Sequence, residues 1–238
     1  MIRIICPQDP TIRCVERQAR RLDRRLGADS RVYVVKPNDK SKKKCHRLIE
    51  SWSVEDLIIF MGHGRSDALF GSRGKNYNMT GSDAAIDRES DDYYNDESFI
   101  DETNYYLLSG KSIICFSCES DLLGNKLLEA GARAIVGFGK MPSSLAEFEN
   151  DVHFKERKNN RMIAYINGAL NVSFRDAVLI THKMHGSLIE FATYFKMEIR
   201  RQVSLLLHSK AQFRYCMANV LYDISRTVTV MGDKSVII

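Results

Sequence analysis

Nowhere in these 238 residues is there an apolar run near the roughly 20 that a membrane-spanning helix needs. Proline is scarce, at four residues, and neither a low-complexity tract nor an internal repeat interrupts the chain. Also missing is a disulfide framework. The six cysteines (Cys6, Cys14, Cys45, Cys115, Cys118, Cys216) lack short, regular spacing, which fits a reducing compartment. Met1–Cys6 is too short for a secretory signal and reads as a first strand, so the expected location is cytoplasmic and no membrane partner is expected. With 44% hydrophobic residues the chain can bury a full core, and we expect one domain over residues 1–238.

Two apolar runs each stop at a reactive residue. They are Leu57-Ile58-Ile59-Phe60-Met61-Gly62-His63-Gly64 and Ser112-Ile113-Ile114-Cys115-Phe116-Ser117-Cys118-Glu119-Ser120. Runs rich in β-branched and aromatic residues and bounded by small or polar ones predict buried strands, with His63 and Cys118 at their C-terminal ends. In an open α/β sheet that edge is where ligands bind. A histidine that takes a thiol proton beside a cysteine that attacks a carbonyl carbon is the minimum for cysteine-hydrolase chemistry.

Charge is unevenly spread. Between Asp83 and Glu102 nine acids face one base, Arg88, giving −8 and leaving +13 for the remainder of a chain whose formal charge is +5. So acidic a stretch, poor in aliphatics, predicts a long mobile loop over residues 72–104, between the two reactive motifs. Arg13, Arg17, Arg20, Arg21, Arg24, Arg25 and the lysines from Lys40 to Lys44 make a basic surface. No nucleic-acid motif or aromatic stacking series goes with it, so direct nucleic-acid binding is not expected. A solvated face, an acidic partner or the chain's own acidic loop accounts for it.

Along residues 1–141 strands alternate with helices. Asp9 is placed to cap a helix with Pro10 in its first position, and Val15, Ala19, Leu22 and Leu26 keep helical spacing until Gly27. Arg31–Val35 reads as the second strand, a lysine-rich turn leads to a short helix at Cys45–Trp52, and the His63 strand follows. After the acidic loop come the Cys118 strand, a helix over Leu122–Ala130 and a strand at Ala134–Phe138. This order predicts an open, mostly parallel α/β sheet with helices on both faces. Residues 142–238 read as a helical part. One helix opens at Ser143 or Ser144, another at Ser173, a long one covers Leu188–Leu207, a last one covers Gln212–Ile224, and a β-hairpin turning at Gly232-Asp233 closes the chain.

The two motifs, together with Leu123-Gly124-Asn125-Lys126-Leu127-Leu128-Glu129-Ala130-Gly131-Ala132-Arg133-Ala134, resemble the caspase-like (clan CD) cysteine peptidases. The bacterial CHAT-domain group is the nearest branch, with caspases, gingipains and separase further off. The resemblance covers residues 55–70 and 105–142, and Met231-Gly232-Asp233 is similar to a closing motif of gingipain-like members. It implies a cysteine endopeptidase without a cofactor, acting on a protein substrate. Cys118 would be the nucleophile, His63 the general base, and the backbone N–H groups of Gly64 and Cys118 the oxyanion donors. Glu119, Phe138, Gly139 and Lys140 would line the substrate cleft. It also implies control by a regulatory protein partner or by loop cleavage, in a setting such as bacterial signalling or antiphage defence. Phe116 departs from relatives that cut after Arg or Lys, which commonly carry an acid two residues before the nucleophile, so specificity stays open.

Three other readings stand beside this one. The fold could serve as a catalytically idle binding or scaffold module. Cys115-x-x-Cys118 has the spacing of a redox pair and of half a zinc site, although residues three apart in a strand face opposite ways and no second Cys-x-x-Cys completes four ligands. His182-x-x-His185 could offer two metal nitrogens. For a third catalytic residue, Asp56, Asp67 and Glu119 are candidates by proximity alone. The remaining five cysteines read as small hydrophobes, and His46, His153 and His208 as surface or helix residues.

Overall fold

The computed structural model describes residues 1–9, 12–72, 98–141 and 160–238. Five parallel strands and one antiparallel strand build the main sheet: β1 (Ile2–Pro7), β2 (Ser30–Val35), β3 (Leu57–Met61), β7 (Ser112–Phe116), β8 (Ala134–Gly137) and β9 (Thr229–Gly232), in the order β2-β1-β3-β7-β8-β9. Between β3 and β7 the chain makes a small antiparallel sheet from β4 (Gly64–Arg65), β5 (Ala68–Phe70) and β6 (Ser98–Ile100). Six α-helices complete the described residues: α1 (Arg13–Leu26), α2 (Asp39–Ser51), α3 (Ser120–Glu129), α4 (Asn160–Lys183), α5 (Leu188–His208) and α6 (Arg214–Thr227). None of these helices is long and apolar enough to cross a membrane.

Strand alternation sorts the core into two halves, one on each face of the sheet. Ile2, Ile4, Leu57, Ile59, Ile114, Phe116, Ala134 and Val136 join buried residues of α1, α4, α5 and α6. Ile5, Ile58, Phe60, Ile113, Cys115 and Ile135 point the other way, onto Cys45 and Ile49 of α2, Leu123 and Leu127 of α3, and Leu69, Phe99 and Ile100 of the small sheet. Burial on both faces is why the central strands are unbroken apolar runs. An aromatic group anchors the first half. The Phe174 ring lies 4.2 Å from that of Phe116 and 5.6 Å from that of Phe191, and Phe138 meets Phe116 and Phe195 edge-on.

Several local expectations are corrected. Asp9 is not a cap: α1 starts at Arg13 after Ile12, and Asp9 instead turns inward and is buried. The lysine-rich turn is the opening of α2, because the Asn38 side chain accepts from Ser41 N–H and starts the helix six residues early. Ser173 lies buried inside α4 and opens nothing. The 72–104 segment is ordered at both ends. Ser72 donates to the carbonyl of Val35, while the apolar pair Phe99-Ile100 forms β6 and buries. Residues 73–97, which hold most of the acidic stretch, and the helix expected at Ser143 or Ser144 lie outside the described residues.

No terminal hairpin forms. β9 pairs antiparallel with β8, with Val136 opposite Val230, which closes an edge that would otherwise be bare. The residues after it turn to the α4–α5 junction, where Leu188 N–H meets Val236 O and Ile238 N–H meets Gly186 O, each at 2.9 Å.

His46 ties α2 to the small sheet through a 2.8 Å contact of Nε2 with the Phe99 carbonyl. Burial holds its pKa below the ordinary value, with Lys42 adding to the depression while the Phe99 bond, Glu50 and Asp101 oppose it. The unfolded chain therefore binds more protons at mildly acid pH, and stability is lost as pH falls through the folded-state value. Between about pH 7.5 and about pH 5 the melting temperature of the native chain should fall further than that of His46→Gln, which keeps a donor but cannot titrate; equal falls would rule this out.

Candidate active site at the carboxyl edge of the sheet

Parallel pairing of β3 with β7 matches Met61 to Phe116, so His63 and Cys118 each stand two residues beyond the last matched pair, on neighbouring strands. The strand on the other side of β3 is β1, and Asp9 stands two residues past its end. Three chemistry-bearing residues thus gather at one sheet edge. They flank the point where connections run to opposite sides, β1 leading out to β2 and the chain returning to β3, which is where open α/β sheets bind ligands.

Asp9 and His63 are both buried, and Asp9 Oδ2 lies 3.9 Å from His63 Nε2. The separation is longer than a hydrogen bond, and at that range an ionised carboxylate attracts a protonated imidazole through charge alone. None of the three carboxylates chosen by proximity holds this position. Asp56 precedes β3, at the opposite edge, where it pairs with Arg3 at 2.9 Å and the N-terminal amine at 3.2 Å. Asp67 pairs with Arg65, and Glu119 follows the cysteine on its own turn. A carboxylate just past a strand end was the available signal for Asp9, masked by its equal suitability as a helix cap.

The cysteine turn is tight. Phe116 ends β7, Ser117 N–H bonds Cys115 O at 2.8 Å, and Glu119 adopts φ 52°, a left-handed conformation rare for a residue with a Cβ. Cys118 is half-buried and precedes α3 by two residues, so the helix N-terminus favours negative charge on its sulfur. The thiol donates to Met141 O at 2.9 Å. A Cβ added at Gly64 would stand 2.9 Å from Ser117 Oγ, so the glycine backbone rests directly on the residue before Cys118. Gly64 opposes Leu69 while Phe70 N–H bonds His63 O at 3.0 Å. Gly64 is therefore in a non-hydrogen-bonded pair, and its N–H points off the free side of β4.

Of the expected cleft residues, Lys140 is exposed and Glu119 half-exposed. Phe138 is corrected: its ring is buried in the aromatic group, its N–H is taken by Ser120 Oγ and its carbonyl by Asp121 N–H. Gly139 is buried beneath Thr227, and its carbonyl accepts from Glu119 N–H at 3.1 Å. Both residues build the wall under the cysteine and offer the cleft no side chain.

Cys115 lies on the other face from Cys118, among Ile58, Phe60 and Ile113, so the two do not form a redox pair. Among the described residues no cluster of three or more His, Cys, Asp or Glu is placed to hold a metal ion, and His182 contacts Asp29 at 3.2 Å. No family model, no curated protein and no solved structure matches the chain.

Burial pushes the thiols of Cys6 and Cys45 up to about 12 and that of Cys115 higher still. Brief iodoacetamide treatment of the folded chain, mapped by mass spectrometry, should therefore modify Cys118 well ahead of these three. Equal labelling of Cys115 would contradict the arrangement.

Proposed function

We propose that this chain is a caspase-like cysteine endopeptidase that cleaves a protein substrate through His63 and Cys118, with Asp9 stabilising the protonated histidine. One observation carries the reading: β3 and β7 deliver His63-Gly64 and Ser117-Cys118 side by side at the carboxyl edge of the sheet, with Gly64 packed against Ser117. The mostly parallel sheet covered by helices on both faces agrees with what the motif resemblance implies.

In the reaction, His63 removes the proton from Cys118 Sγ, and the sulfur bonds to the substrate carbonyl carbon as the C=O π pair moves onto oxygen. Backbone N–H groups of Gly64 and Cys118 receive that oxyanion. Collapse breaks the C–N bond, and the amine leaves with the proton held by His63. Water then attacks the thioester, giving a proton to His63, and the C–S bond breaks to restore the thiol. Asp9 stabilises the imidazolium that exists between the two transfers.

The Cys118–Met141 hydrogen bond supports a regulated enzyme, because a carbonyl 2.9 Å from sulfur stabilises the thiol and opposes the thiolate. Full activity then requires the segment after β8 to shift, the step a regulatory partner would drive, while the resting dyad keeps a reactivity above that of an unfolded thiol. The same contact favours the second reading, an idle binding module in which that shift never occurs.

Peptidyl electrophiles with varied terminal residues, applied to wild type, Cys118→Ala and His63→Ala, decide between them. The peptidase reading expects labelling at Cys118 that requires His63, whereas labelling of Cys118 that is indifferent to His63 would sink it. In the pH–rate profile of this labelling, Asp9→Asn should move the acidic limb, which reports deprotonation of the His63 base, to lower pH and slow the reaction on the order of tenfold or more, since loss of the carboxylate destabilises the imidazolium. An unmoved limb would remove Asp9 from the mechanism.

A further inference from the structure

Ser120 is buried to 0% exposure at the first position of α3, and four main-chain atoms surround its hydroxyl. Its Oγ lies 2.7 Å from Cys115 O, 2.9 Å from Ser117 O and 3.4 Å from Phe138 O, and it accepts from Phe138 N–H at 2.9 Å. The single hydroxyl proton has the carbonyls of Cys115 and Ser117 as its two nearest acceptors, while a lone pair holds β8. One side chain thus joins the end of β7, the cysteine turn and the end of β8. The join is close. A Cβ at Gly137 would stand 2.5 Å from Ser120 O and 2.6 Å from Asp121 N, so only glycine lets α3 seat so near β8.

The direction of the Ser117 carbonyl is what matters. In a planar trans peptide the C=O and the following N–H point opposite ways, and the described residues contain no cis bond. With Ser117 O drawn inward to the Ser120 hydroxyl, the Cys118 N–H is turned away from the buried Ser120. A flip of this peptide would put a carbonyl oxygen where the donor now stands and repel a developing oxyanion. Glycine-free and strained at Glu119, the turn has no other side-chain bond on Ser117 O among the described residues to hold that orientation.

We propose that Ser120 is a positioning residue: its hydroxyl locks the Ser117–Cys118 peptide so that the Cys118 N–H serves as an oxyanion donor. The inference rests on the peptidase reading of the site and adds a residue to it. Ser120 touches no reacting atom; it acts through the peptide it holds. Chemistry that builds negative charge on a carbonyl oxygen depends on this lock, and chemistry that does not is indifferent to it.

Two probes separate the cases. p-Nitrophenyl acetate acylates Cys118 through a tetrahedral oxyanion, forming an S–C bond and expelling p-nitrophenolate. Iodoacetamide alkylates the same sulfur by direct displacement of iodide, without one. Both rates are read at Cys118 by mass spectrometry, with thermal melting as a check on folding. In Ser120→Ala, acylation should slow on the order of tenfold to a hundredfold while alkylation stays within about twofold, and Ser120→Thr should restore acylation. Should the alanine variant not fold, Ser120→Cys, of similar size and with a weaker donor, takes its place with the same readouts. Equal loss of both rates would make Ser120 merely structural, and no loss of either would overturn the lock. If Cys118 of the folded wild type is acylated no faster than in the unfolded chain, the peptidase reading fails and this inference with it; a fast wild type with an unselective Ser120 variant fails the inference alone.

Discussion

Everything at the candidate site depends on the in-register parallel pairing of β3 with β7 at the centre of the sheet. Leu57 matches Ser112, and the match continues to Met61 and Phe116, so two chain segments far apart in sequence end at the same height. Because side chains alternate between faces, a slip of one residue would turn over the strand that moved and drive Ile59 or Ile114 away from the helices that cover it. The hydrophobic effect therefore sets the register, and the register sets the place of His63 relative to Cys118.

Past that edge, packing gives way to hydrogen bonds. The cysteine turn leaves the sheet through a short Ser117–Cys115 bond, passes through a left-handed glutamate and enters α3 without a side-chain cap. Such a turn is costly unless neighbours over-determine it. Here the end of β8 does so, through Phe138 and Gly139, which bond Ser120, Asp121 and Glu119. Their role is to stiffen the turn that carries the sulfur. Ser117 adds a tension of its own. Its hydroxyl is buried at 1% exposure, pressed on Gly64, with no hydrogen-bond partner among the described residues. A buried hydroxyl left so costs roughly 1–3 kcal/mol, which places stored strain beside the proposed nucleophile.

The fold was legible where patterns are local and strong. Apolar runs marked β1, β3, β7 and β8, the spacing of Ala19, Leu22 and Leu26 marked α1, and the long amphipathic run from Leu188 to Leu207 marked α5. Reading failed where two local signals competed. Asp9 suits a helix cap and a buried strand-end carboxylate equally well, and Ser173 looks like a helix start although it faces the core of α4. Thr229–Gly232 reads as half a hairpin because sequence offers only its neighbours as partners, whereas the open edge of β8 was the better one.

By itself the sequence determined the strands β1, β3, β7 and β8, the placement of His63 and Cys118 at strand ends, and the burial of Cys6, Cys45 and Cys115, since each follows from the composition of a short window. Only the tertiary structure decided that Asp9 stands beside His63, that Phe138 turns its ring into the core, and that one serine hydroxyl gathers three segments around the cysteine turn. Those outcomes depend on strand order and on distances between residues remote in the chain, which the energy of the whole packed core sets and no window of sequence contains.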